Sequence, residues 1–181
     1  KVEQATIERV YLVPSARTAE PGESEALEVM THLIGGGQTS AMYRELVLER
    51  KIAVAAGAYY MGSSLDATRL WVYAVPDVTL PDLDAAMDET IAKFIGSDIS
   101  AKDFQRAKTR LVADAVYAQD SQVALARWYG AALATGETID EVSGWASRIE
   151  AVTVDDVRAA ARKWLDKKRA VTGFLECGEA A

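Results

Sequence analysis

Apolar and polar positions change period along the chain. Thr6-Ile7-Glu8-Arg9-Val10-Tyr11-Leu12-Val13 is rich in β-branched and aromatic residues and closes on Pro14, the pattern of a strand. After a polar loop, apolar residues recur at helical spacing: Ala26, Leu27, Met30, Leu33 and Ile34 share one face of a helix over 23–34, which Gly35-Gly36-Gly37 stops. A second helix is expected over 39–49, with Met42, Leu46 and Glu49 spaced by turns. The period then becomes that of sheet. Residues 54–61 and 68–75 flank Gly62-Ser63-Ser64-Leu65-Asp66-Ala67 and predict an antiparallel hairpin with a longish loop.

The remainder is mostly helical. Thr79/Asp82, Ser100/Asp103, Thr138/Glu141 and Thr153/Asp156 each place an acid three residues after a hydroxyl, a pattern close to the capping box. The hydroxyl accepts from an orphan N–H and the acid sits in the positive first turn. Leu83, Met87, Ile91 and Phe94 stripe the first of these helices, which ends at Gly96. The second is long, carries Phe104, Ala107, Leu111 and Ala115, bends near Gln119-Asp120-Ser121 and stops at Gly136. The third carries Val142, Trp145 and Ile149, the fourth Val157, Ala160, Ala161 and Trp164, and a strand over 170–175 closes the chain. The order β-α-α-β-β-α-α-α-α-β segregates strands from helices. It predicts an α+β fold, an antiparallel sheet covered by helices on one face in two layers.

Composition narrows the choices. The net charge of -7 disfavours nucleic acid and anionic membrane surfaces as partners, since both require a basic face. One cysteine, Cys177, permits no intrachain disulfide. No apolar run approaches the roughly 18 residues of a membrane span. The chain opens on Lys1 rather than methionine and lacks a basic n-region followed by an apolar stretch, as expected of a single domain, 1–181, cut from a longer chain.

Candidate chemistry is sparse. His32 is the only histidine, so neither H-x-x-E-H nor H-E-x-x-H can be written, and a catalytic zinc site has too few ligands. Flanked by Met30 and Leu33, His32 is expected to be partly buried. A serine or cysteine triad would have to use it as base, and no Gly-x-Ser-x-Gly elbow exists. The three glycines follow a helix rather than a strand and lack the lysine of a phosphate loop, which leaves a helix C-cap or a bare loop lying close to a bound peptide. Paired acids such as Glu23/Glu25, Asp82/Asp84 and Asp155/Asp156 fall in first helical turns or on solvent faces, and no acid stands on an otherwise apolar stripe. Trp71, Trp128, Trp145 and Trp164 sit in apolar patterns and are expected in the core.

One stretch is more specific. Leu33-Ile34-Gly35-Gly36-Gly37-Gln38-Thr39-Ser40-Ala41-Met42-Tyr43-Arg44-Glu45-Leu46, followed by Glu49-Arg50-Lys51-Ile52-Ala53-Val54-Ala55-Ala56, resembles the second-half domain of the insulinase/pitrilysin-type zinc metallopeptidases, which include the mitochondrial processing peptidase. Arg9-Val10-Tyr11-Leu12-Val13-Pro14-Ser15 is similar to that domain's opening strand. Residues 149–157, running on to Trp164-Leu165, resemble its closing helix, and Gly173-Phe174-Leu175 its last strand.

The resemblance implies a non-catalytic half that pairs with an H-x-x-E-H half, in the same chain or a partner subunit, and encloses an extended peptide substrate against an edge strand. It implies no cofactor in this fragment and zinc in the missing half. Candidate substrate-binding residues are Gly35, Gly36, Gly37, Ser40, Arg44, Tyr59 and Tyr60. The Arg and Tyr that reach the zinc site in many members align with Val47 and Val54, which can donate no hydrogen bond. Those valines favour the alternative of a degenerate scaffolding subunit. A free-standing peptide-binding module is a third class. The resemblance to exported bacterial relatives suggests the periplasm, with the cytoplasm as the alternative.

Overall fold

The computed structural model describes residues 4–176; Cys177 lies outside them. The opening strand, β1 (Thr6–Val13), alternates inward and outward along its length, as a strand covered on one side must. It lies between β3 (Thr68–Pro76) and β4 (Ala170–Leu175), and β2 (Ala53–Tyr60) pairs with the far side of β3. All pairings are antiparallel, in the order β2-β3-β1-β4. The register sets Ile7 opposite Ala74 and Tyr11 opposite Leu70, so the inward rows of adjacent strands meet.

The helices occupy the inward face. α1 (Glu23–Gly35) runs against β2 and is flanked by α3 (Ala101–Ala118), α5 (Ile139–Ala151) and α6 (Val154–Trp164). α2 (Leu80–Gly96) lies over β1 and β3. Ile7, Tyr11, Leu27, Met30, Ile34, Leu70, Val72, Leu83, Met87, Ile149 and Val157 form one contiguous core. The α+β, one-sided two-layer arrangement agrees with the pattern of the sequence.

Local chemistry explains the boundaries. Thr79, Ser100, Thr138 and Thr153 each accept from the backbone N–H three residues on, and at Thr138 and Thr153 the acid also accepts from the cap N–H. A fifth cap replaces the expected bend. The run over 101–134 breaks after Ala118 into a tight turn, and Ser121 starts α4 (Gln122–Ala134) by accepting from Ala124 N at 3.2 Å. The run over 101–134 thus holds two helices where one bent helix is expected. Gly136 follows α4 with φ of 89°, the left-handed step that glycine allows.

The expected second helix is wider than an α-helix. Residues Tyr43–Glu49 form a π-helical turn in which Arg50 N bonds to Glu45 O at 2.9 Å. Lys51, at φ 52°, then turns the chain into β2. Such widened turns often mark functional segments.

Among the described residues no helix covers the outward face of the sheet. It carries Val10, Leu12, Tyr59, Trp71, Tyr73 and Val171, with Leu12 61% and Val171 75% exposed. Among the described residues no helix is long and apolar enough to cross a membrane.

Candidate functional site

The seven candidate residues fall in four places. Gly35 ends α1 flush against β2; a Cβ there would stand 2.1 Å from Ala58 N. Gly36 lies under His32, whose Nδ1 would be 2.5 Å from such a Cβ, and Gly37 holds φ at 119° in open space. Close packing and a turn account for the first two glycines. Ser40 is buried, and its carbonyl accepts from Arg44 N at 3.0 Å as the widened helix begins.

Gly36, Gly37, Ser40 and Arg44 border a cleft of about 790 Å³ between the C-terminal end of α1, the widened helix, α2 and the start of α3. Its charges are mostly matched: Lys93 with Glu45 at 2.6 Å, Arg106 with Asp103 at 2.7 Å and Arg110 with Asp114 at 3.4 Å. Arg44 has no ion pair among the described residues. His32 is half-buried at the cleft wall, as expected; burial pushes its pKa down, Asp114 pulls it up, and Arg110 and Arg106 push it down. Its ring is therefore held neutral more firmly than a free histidine.

The adjacent tyrosines part company because successive strand residues face opposite sides. Tyr59 is on the outward face, stacked on Tyr73 at 5.9 Å and tilted against Trp71 at 6.1 Å. Gly57, opposite Tyr73, makes room for that ring: a Cβ would come within 2.7 Å of it. Tyr60 points inward, and its hydroxyl donates to Pro14 O at 2.8 Å.

Behind Tyr60 lies a second cavity, of about 370 Å³, that the candidate residues do not anticipate. Glu25 and Glu28 of α1 face it, with Glu137, Trp128, Trp145 and Arg148. Arg148 Nε donates to Glu25 at 2.5 Å and Trp145 Nε1 to Glu28 at 2.9 Å. Burial pushes the Glu28 carboxyl up to about 8; the Trp145 donor and Arg148 oppose the rise, while Glu25 and Glu137 add to it.

This corrects two expectations. Acids do stand on the packed side of α1, because α3, α4 and α5 cover a face that looks solvated in the isolated helix. The four tryptophans are half-buried; Trp145 and Trp164 pack against the core, Trp71 and Trp128 do not, and Trp128 and Trp145 line this cavity.

The sequence over residues 1–111 matches the family model described as the peptidase M16 inactive domain. The chain belongs to that family. None of the curated proteins matches it. Solved structures share its fold: a protease from Helicobacter pylori (19% identity, TM-score 0.86, 97% of this chain and 42% of that one) and a peptidase M16 inactive domain from Pseudomonas fluorescens (15%, 0.80, 94% and 40%). The periplasmic protease PqqL from Escherichia coli is similar more distantly (15%, 0.67, 97% and 19%). The chain thus spans about two fifths of the Helicobacter and Pseudomonas chains.

In this M16 inactive domain no group of three or more His, Cys, Asp or Glu among the described residues is placed to hold a metal ion. The donor set does not fit zinc, whose catalytic sites take three protein ligands. Val47 is half-buried on the widened helix and Val54 is exposed at the start of the edge strand β2. Neither brings a polar group to the cleft.

Proposed function

We propose that the chain is the non-catalytic, substrate-enclosing half of a zinc-dependent endopeptidase, completed by a second half that carries the metal. The observation that carries this reading is the sheet's uncovered outward face. An exposed Leu12, Tyr59 and Val171 around Trp71 and Tyr73 is costly for a free-standing domain and ordinary for an interface. Trp71 Nε1 is buried there without an acceptor among the described residues. Membership of the inactive-domain family, and a span of about two fifths of the Helicobacter chain, support a second half as the covering element. In the assembled molecule Gly37, Ser40 and Arg44 would border the peptide, and the free edge of β2 would offer it backbone hydrogen bonds.

The test is reconstitution. The fragment alone should hydrolyse no peptide, and the fragment joined to an H-x-x-E-H half should do so in a chelator-sensitive way. Such a motif is expected about 150 to 200 residues upstream in the coding sequence, a typical domain length. Chelator-sensitive hydrolysis by the fragment alone would overturn the reading.

A second reading, a scaffolding subunit that never meets substrate, draws on Val47 and Val54. It predicts an assembled complex without peptidase activity. For the compartment we propose the periplasm, by likeness to one periplasmic protease; fractionation of cells expressing the natural gene tests it.

A further inference from the structure

We propose that the cavity bounded by Tyr60, Trp128, Trp145 and Glu28 is a receptor pocket for one organic cation, an alkylammonium or alkylguanidinium group. Its volume of about 370 Å³ is near the lower end of small-ligand sites, which run from roughly 300 to 1,000 Å³. That suits one side chain or a small amine rather than an extended peptide. The two indoles meet edge to face at 5.7 Å, and aromatic faces attract cations.

The acid is left open on the side that faces the cavity. One Glu28 oxygen accepts from Trp145; the other accepts from nothing among the described residues. Gly62 keeps it uncovered, because a Cβ there would stand 3.8 Å from that oxygen and 3.1 Å from the Tyr60 ring.

The charges that face Glu28 leave an excess of negative groups. Arg148 is committed to Glu25 and to the Glu141 carbonyl at 2.8 Å, and Arg17 donates to the Gly136 carbonyl at 3.1 Å. Neither Glu28 nor Glu137 has an ion-pair partner among the described residues. Burial raises the pKa of both carboxyls. A cation between them is the partner that would let them ionise. If Glu28 served only as acceptor for Trp145, one oxygen would be explained, but the aromatic walls and the unpaired Glu137 would not. The proposal stands independently of the peptidase reading.

The experiment titrates the 181-residue chain with agmatine, Nα-acetyl-arginine amide and Nα-acetyl-norleucine amide, followed by tryptophan fluorescence and calorimetry. The expected result is saturable binding of a cation, with the neutral norleucine derivative about tenfold weaker or worse. At neutral pH binding should release close to one proton, detected as heat that depends on the buffer. Glu28→Gln, which keeps the Trp145 acceptor, should weaken binding about tenfold and abolish proton release; Glu49→Gln, in the other cleft, should change neither. Binding of agmatine alone identifies a free small cation, and equal binding of the capped arginine identifies a peptide side chain. No saturable binding, equal binding of norleucine amide, or an unchanged Glu28→Gln variant with a native melting curve would each overturn the proposal.

Discussion

Arg9, on the inward side of β1, holds Asp84 of α2 at 2.5 Å with only 1% of its own side chain exposed. Asp88, one turn on, is held at the same distance, and Thr172 of β4 accepts from Nε at 3.0 Å. Lys167 reaches both acids from the turn before β4. One buried guanidinium thus ties a central strand to a helix and to the last strand. Breaking a buried pair from one side typically costs 3–5 kcal/mol, but here the acids reach solvent and keep Lys167. Arg9→Ala should lower stability by about 3 kcal/mol, and Arg9→Met, which keeps the packed stem, by less. Urea unfolding of the two variants checks the order; equal losses would show that the charge and not the packing matters.

Lys108 is buried on α3, and its ammonium donates to Glu150 O at 2.5 Å and Val152 O at 3.1 Å, closing the C-terminal end of α5. A cation is favoured there by the helix dipole, and the carbonyls otherwise lack a donor. Lys108→Met should cost about 1–3 kcal/mol. Hydrogen exchange should rise first in the last turn of α5. A loss spread evenly over the molecule would contradict this local role.

The neighbouring glycines should respond differently to the same change. At Gly35 a Cβ meets the backbone of β2, which cannot swing aside; overpacking of this kind costs about 1–3 kcal/mol. At Gly37 there is space but an unfavourable φ, a strain of order 1 kcal/mol. Gly35→Ala should therefore be the more damaging variant in a thermal melt, with Gly37→Ala lowered by only a few degrees.

What the sequence shows and conceals has physical causes. β1 is legible because a strand covered on one side must alternate, and the caps at Thr138 and Thr153 because cap and acid bond reciprocally at a fixed spacing. Ser121 is not, since Ala124 offers no acid to mark the start. The width of the helix over 43–49 escapes because Met42 and Leu46 look alike in an α- or a π-helical turn. Tyr59 and Tyr60 are adjacent in the chain yet face opposite sides of the sheet, so no local pattern could place both at one site. Glu25 and Glu28 are hidden for another reason: they are covered by residues of α3, α4 and α5, more than eighty residues further along the chain.

Glu28 offers a stability test in which the sign is decisive. Its carboxyl titrates near 8 in the folded chain, against roughly 4.3 when unfolded. Between those values the folded state holds a proton that the unfolded state has lost. The stability this contributes is fully present below about pH 4, falls as pH rises through the window, and is gone above about pH 8. The slope is at most about 1.4 kcal/mol per pH unit. His32, with its pKa pushed down by burial, acts the other way below about pH 6.5, and Glu137, pushed up by burial, acts with Glu28, so the raw profile mixes several groups. Glu28→Gln removes only the Glu28 contribution. Urea unfolding at a series of pH values should show the variant gaining on the parent steadily from pH 5 to pH 8. Parallel profiles would mean that the Glu28 carboxyl is ionised at neutral pH, with a partner or solvent access that its surroundings do not provide.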